Sequence, residues 1–60
     1  MTYTAKIETF GGLVEYTVTD EQIDALPGDS AARIYRDDYR AGVDIAPSEV
    51  AGHAYRESVA

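Results

Sequence analysis

Glu49, His53 and Glu57 recur at intervals of four residues, the spacing that lines up three side chains on one face of a helix. Such a column can hold a divalent cation. It is also what a solvated face of i,i+4 pairs around a surface histidine looks like, and that second reading is adopted. One histidine and no cysteine in 60 residues leave no thiolates and too few imidazoles for a structural zinc site. Nucleophilic catalysis needs a base, a nucleophile and an orienting group in a cleft. His53 is the only histidine here, and so short a chain barely encloses a core. No enzyme, metal or cofactor is therefore expected. Asp37 and Asp38 do not make a carboxylate dyad either, because neighbouring side chains on a helix point about 100° apart.

The charge that remains is distributed unevenly. Eleven acids against five bases give a net charge of -6. Such a balance argues against direct contact with nucleic acid, whose partners neutralise phosphates with Lys and Arg. From Ile7 to Ala32 there are six acids (Glu8, Glu15, Asp20, Glu21, Asp24 and Asp29) and no Lys or Arg. From Arg33 onward five acids face four arginines. Carboxylates carried by a rigid hairpin and helix can imitate the negative charge of a nucleic-acid backbone and occupy a basic groove.

Elements to position these residues follow from periodicity. Thr2 to Thr9 alternates, with Tyr3, Ala5, Ile7 and Thr9 on one face and Thr4, Lys6 and Glu8 on the other. Leu13 to Thr19 does the same, with Val14, Tyr16 and Val18 on its apolar face. Gly11-Gly12 between them predicts a two-residue hairpin loop, because tight primed turns demand positive φ. That loop sets Phe10 opposite Leu13, Thr9 opposite Val14, Ile7 opposite Tyr16 and Ala5 opposite Val18. Glu8 then faces Glu15, an unfavourable pair that Lys6 relieves diagonally. Phe10 and Leu13, beside Glu8 and Glu15, make the best contact surface of the hairpin unless the C-terminal segment folds over it.

Thr19 and Gln22 predict a capping box at the start of a short acidic helix, with Ile23 and Leu26 inward and Pro27-Gly28 ending it. The central helix is expected from Ser30 to Gly42, capped by Asp29 and stopped by Gly42 in a left-handed conformation. Its apolar stripe is expected to be Ala31, Ala32, Ile34, Tyr35, Tyr39 and Gly42. Arg33, Arg36 and Arg40 are expected to form a solvated basic strip, with Asp29–Arg33 and Arg33–Asp37 ion pairs. Asp38 is expected at the margin, bonded to a Tyr hydroxyl or a backbone N–H. Val43-Asp44-Ile45 is expected as a short extended link or third strand. Pro47 opens a third helix, in which Val50, Ala51, Ala54, Tyr55, Ser58 and Val59 share a face. The fold class is therefore α+β: one domain over residues 1–60, an N-terminal β-hairpin packed against two or three short helices in the order β-β-α-α-α.

No apolar run approaches the roughly 20 residues a membrane span needs, and no signal peptide is evident. The absence of cysteine suits an intracellular life.

Taken whole, the chain resembles the small, acidic, phage-encoded anti-CRISPR proteins, above all inhibitors of type I systems. The residues that carry the likeness are the hairpin TYTAKIETFGGLVEYTV and the tail AGVDIAPSEVAGHAYRES. It is a likeness of overall look without a diagnostic motif, so no functional residue transfers by position. It implies a non-enzymatic inhibitor that acts in the bacterial host cytoplasm as a monomer. Its partner would be the basic DNA-recognition surface of a CRISPR-Cas effector complex, blocked by an acidic, DNA-mimicking face. Glu8, Phe10, Leu13, Glu15, Asp20, Glu21, Asp24 and Asp29 are the residues expected to bind it, with the Arg33/Arg36/Arg40 strip as the other face available for docking. The alternative is a small structural or assembly module that pairs with itself through Phe10 and Leu13.

Overall fold

A computed structural model of the chain describes residues 1–59, with side chains through residue 58. The elements are β1 (Thr2–Thr9), β2 (Gly12–Thr19), α1 (Asp20–Asp24), α2 (Ala31–Arg40) and α3 (Pro47–Val59). The strands form one antiparallel hairpin. α3 lies on it, mainly against β1, and α2 packs on α3. This is the expected α+β order. The inward placement expected for Val59 lies outside the described side chains.

The hairpin keeps its expected faces but not its expected register. Thr9 pairs with Gly12, Glu8 with Leu13, Ile7 with Val14, Lys6 with Glu15, Ala5 with Tyr16 and Tyr3 with Val18. The turn residues are thus Phe10 and Gly11, and the positive φ falls on Gly12, at +109°. Each partner is displaced by two positions, so inward residues stay inward. The electrostatic gain is direct. Glu15 sits opposite Lys6 instead of Glu8, so the like-charge pair never forms.

Thr19 caps α1 as expected. Its hydroxyl accepts from the Gln22 amide at 3.2 Å, and the Gln22 side chain accepts from the Thr19 amide at 2.8 Å. At α2 the cap is Ser30, not Asp29. Ser30 is the extended residue directly before the first helical turn, and its Oγ accepts from the Arg33 amide at 3.3 Å. The far end closes as a Schellman motif. The Val43 amide donates to the Asp38 carbonyl and the Gly42 amide to the Tyr39 carbonyl, with Gly42 at φ +89°. Val43 to Ile45 is irregular with a bend at Asp44, and no third strand occurs among the described residues.

The expected stripe of α2 is rotated. Ala32 and Arg36 are buried and Tyr35 and Tyr39 half-buried, a spacing of i, i+3, i+4, i+7, whereas Ile34 is exposed. Neither expected ion pair of Arg33 forms. Its guanidinium donates to the Leu26 carbonyl at 3.0 Å instead. Asp38 is half-buried, and its bonds run through its backbone carbonyl.

Tyr3, Ala5, Val18, Ile23, Ala32, Val50, Ala51 and Ala54 form the core, with Ile7, Tyr16, Leu26, Tyr35, Tyr39 and Ile45 against it. Only Tyr3, Ile23 and Val50 are large and fully buried, so the interior is small and the domain modestly stable. Eight-residue strands reach about 27 Å, against about 20 Å for the thirteen-residue α3. The turn end of the hairpin therefore overhangs the helix. Burial follows this geometry, complete at Tyr3 and lost by Val14.

Candidate interaction surface at the hairpin end

At the overhanging end Phe10 has no shielding at all and Leu13 is 69% exposed. Glu8 lies directly opposite Leu13 in the ladder, and Glu15 opposite Lys6. The outward face of the hairpin (Thr4, Lys6, Glu8, Leu13, Glu15 and Thr17) is exposed along its length. The C-terminal segment therefore does not fold over it. The Thr4 and Thr17 hydroxyls bond each other at 3.0 Å, which ties the strands together toward the other end. The structure thus brings Glu8, Phe10, Leu13 and Glu15 together, an apolar pair rimmed by carboxylates.

The remaining four expected residues lie elsewhere. Thr19 pairs with Thr2 at the open end of the hairpin, so α1 begins there, about 17 Å along the strand from Glu15. Glu21 and Asp29 are exposed and make no ion pair among the described residues. Asp20 and Asp24 are engaged by an arginine. The acids of residues 8–29 accordingly form no single continuous face.

That arginine is Arg36, expected in a solvated strip and found only 2% exposed. Its Nη1 donates to Asp20 Oδ1 at 3.1 Å and to the Asp20 carbonyl at 3.3 Å. Its Nη2 reaches Asp24 and its Nε reaches Asp37 Oδ1 at 2.9 Å. Tyr3, at the centre of the core, donates its hydroxyl to the same Asp20 oxygen at 2.9 Å. The Met1 ammonium stands 3.6 Å from the other Asp20 oxygen. A lone buried cation is prohibitively costly, and three carboxylates make this one tolerable. Burial alone raises the Asp20 carboxyl, but the Tyr3 hydroxyl and the Arg36 guanidinium outweigh it and hold the group below its ordinary range. The Tyr3 phenol is pushed up, first by burial and then by its bond to Asp20. The guanidinium is held in its charged form by the same carboxylates, against the effect of burial. The basic strip thus reduces to the exposed Arg40 and the half-buried Arg33.

The Glu49-His53-Glu57 column is also dismantled. His53 is half-buried, with its ring 4.5 Å from that of Tyr35 and Nε2 3.7 Å from Glu49. Glu57 turns toward α2, where its Oε1 accepts from the Ala32 amide at 3.0 Å. Both residues serve the contact between α2 and α3. No group of three His, Cys, Asp or Glu among the described residues is placed to hold a metal ion, and none of their helices is long and apolar enough to cross a membrane.

Sequence reasoning missed the roles of Arg36 and Glu57. The i, i+3, i+4, i+7 series Ala32, Tyr35, Arg36, Tyr39 carried a signal for the first, whereas nothing in the spacing of Glu57 points at the start of another helix. No family model, curated protein or solved structure matches the chain.

Proposed function

We propose that this protein is a non-enzymatic binding protein that docks through the turn end of its hairpin. Its target is the basic DNA-recognition surface of a type I CRISPR-Cas complex, which it keeps from engaging DNA. The observation that carries the docking element is the unshielded Phe10 beside Leu13, flanked by Glu8 and Glu15 on a short, well-anchored hairpin. An aromatic anchor with polar neighbours is the usual make-up of an interface centre. Carboxylates at the rim favour a basic partner and speed encounter with it. The target class comes from the resemblance of the hairpin and tail to anti-CRISPR inhibitors. Asp20 and Asp24 are bound to Arg36 and sit beyond the open end of the hairpin, so the docking surface is smaller than the run of acids suggests.

The experiment is a binding assay of the purified protein on a type I surveillance complex, with target DNA as competitor. Phe10→Ser is expected to weaken binding by about thirtyfold or more, the loss of a hot-spot anchor. Glu8→Gln with Glu15→Gln is expected to slow association and flatten its dependence on salt. Binding that ignores both sets of changes refutes the docking element. Absence of any binding, with DNA engagement unaffected, refutes the target.

A further inference from the structure

Ala5, Lys6 and Ile7 of β1 line one wall of a groove whose other wall is Ser48, Glu49, Gly52 and Arg56 of α3. Successive strand residues point to opposite faces of a sheet, so three in a row can border one groove only along the strand's edge. That edge is open. The sheet has two strands, and among the described residues no hydrogen bond from another element reaches the backbone of β1 from Thr2 to Thr9. Every second residue of β1 therefore turns its N–H and C=O outward into the groove. A volume of about 230 Å³ falls below the usual range for small-molecule sites. It suits the backbone of an added strand better.

The charges on the two walls, with Glu8 next along β1, identify that strand. Lys6 and Glu8 flank Ile7 on the outward face of β1, one residue before it and one after. Glu49 and Arg56 stand on either side of Gly52 on α3. Lys6, Glu8 and Arg56 are exposed without an ion pair, and Glu49 has only its 3.7 Å approach to His53 among the described residues. A two-fold axis near Ile7 and Gly52 sets Lys6 opposite Glu8 of a second copy and Glu49 opposite Arg56 of a second copy, each contact occurring twice. Each wall carries one charge of either sign about its centre, the self-complementary pattern that an isologous interface requires.

We infer that the groove between the edge of β1 and α3 seats a second copy of this chain. The antiparallel β1 strands join two hairpins into one four-stranded sheet. This inference shares Glu8 with the reading of the hairpin end, but its test rests on Glu49, Arg56 and the β1 edge, which Phe10→Ser leaves in place.

Sedimentation velocity of the full chain from micromolar to millimolar concentration is the test. The wild type is expected to approach twice the 6.5 kDa of one chain. Glu49→Arg and Arg56→Glu are each expected to weaken the dimer by about tenfold or more, because each reversal creates two like-charge contacts. The double variant, which restores both pairs with exchanged signs, is expected to dimerise again. A wild type that stays monomeric throughout overturns the inference. So do single variants that dimerise unchanged, or a double variant that does not recover. Hydrogen exchange on the unmodified protein gives a second reading. The outward amides between Ala5 and Glu8 should slow as concentration rises, and concentration-independent exchange there overturns the inference as well.

Discussion

Replacing Arg36 tests the central electrostatic assignment. Breaking a buried ion pair by removing one partner costs about 3–5 kcal/mol. That range needs discounting here, because Asp24 and Asp37 are 58% and 62% exposed and regain water when the guanidinium is gone. Asp20 is the carboxylate that suffers, at 15% exposure, and it keeps the Tyr3 hydroxyl and the Met1 ammonium. Arg36→Ala should therefore cost about 2–3 kcal/mol. A 60-residue domain has about 3–9 kcal/mol in total, so the variant should approach the edge of folding. Arg36→Met keeps the aliphatic stem, and its difference from Arg36→Ala isolates packing from charge. Urea unfolding followed by far-ultraviolet circular dichroism is the assay, since guanidinium chloride would screen the interaction being measured. A loss below about 1 kcal/mol with unchanged m-value would mean the three carboxylates do not need the arginine, and the assignment would fail. The pH dependence follows with a definite sign. The Asp20 carboxyl is lowered on folding, so its stabilisation is complete above the unfolded value of about 3.9. It is lost as pH falls through the lower folded value, and Asp20→Asn should remove that acid sensitivity.

Other substitutions probe the remaining contacts. Tyr3 titrates later in the folded state than in the unfolded one. Its contribution is therefore present below the unfolded value of about 10 and should vanish as pH rises through the folded one, seen as falling stability in alkaline urea titrations. Thr19→Ala removes one arm of the capping box and should cost about 1 kcal/mol in the same assay. Gly52→Ala should raise the melting temperature by a few degrees, a gain of about 0.5–1 kcal/mol. A Cβ there meets only the flexible end of Arg56, at 4.0 Å. Phe10→Ser should leave stability within about 0.5 kcal/mol, because Phe10 is fully exposed, and a large loss would show that the hairpin end is packed in solution.

The elements were legible because their periods are clean: alternation in both strands, Thr19 and Gln22 at one helix start, Pro47 at another. The register was not, because two adjacent glycines point to a loop centred on themselves. Only Gly12 takes the positive φ, and the pairing of Lys6 with Glu15 favours the observed alignment. The inward face of α2 was mistaken for a related reason. A helical wheel counts arginine as outward, and nothing local reveals that Asp20 and Asp24 on another element wait to receive it. The exposed pair Phe10 and Leu13 could be anticipated, because both fall on the face opposite the inward-pointing residues. The continuity of the acidic surface could not, since it depends on which end of the hairpin α1 leaves from.

The bond from the Ala32 amide to Glu57 ties the beginning of one helix to the last turn of another, across 25 positions of chain. The second helix is thus finished only when the third has docked, and neither can open by itself without exposing a polar group. Loss of the final four residues should therefore loosen a segment far upstream, and proton exchange at Ala32 should report the opening of the whole molecule instead of local fraying. In so small a protein, that one carboxylate couples the start of the second helix to the docking of the third.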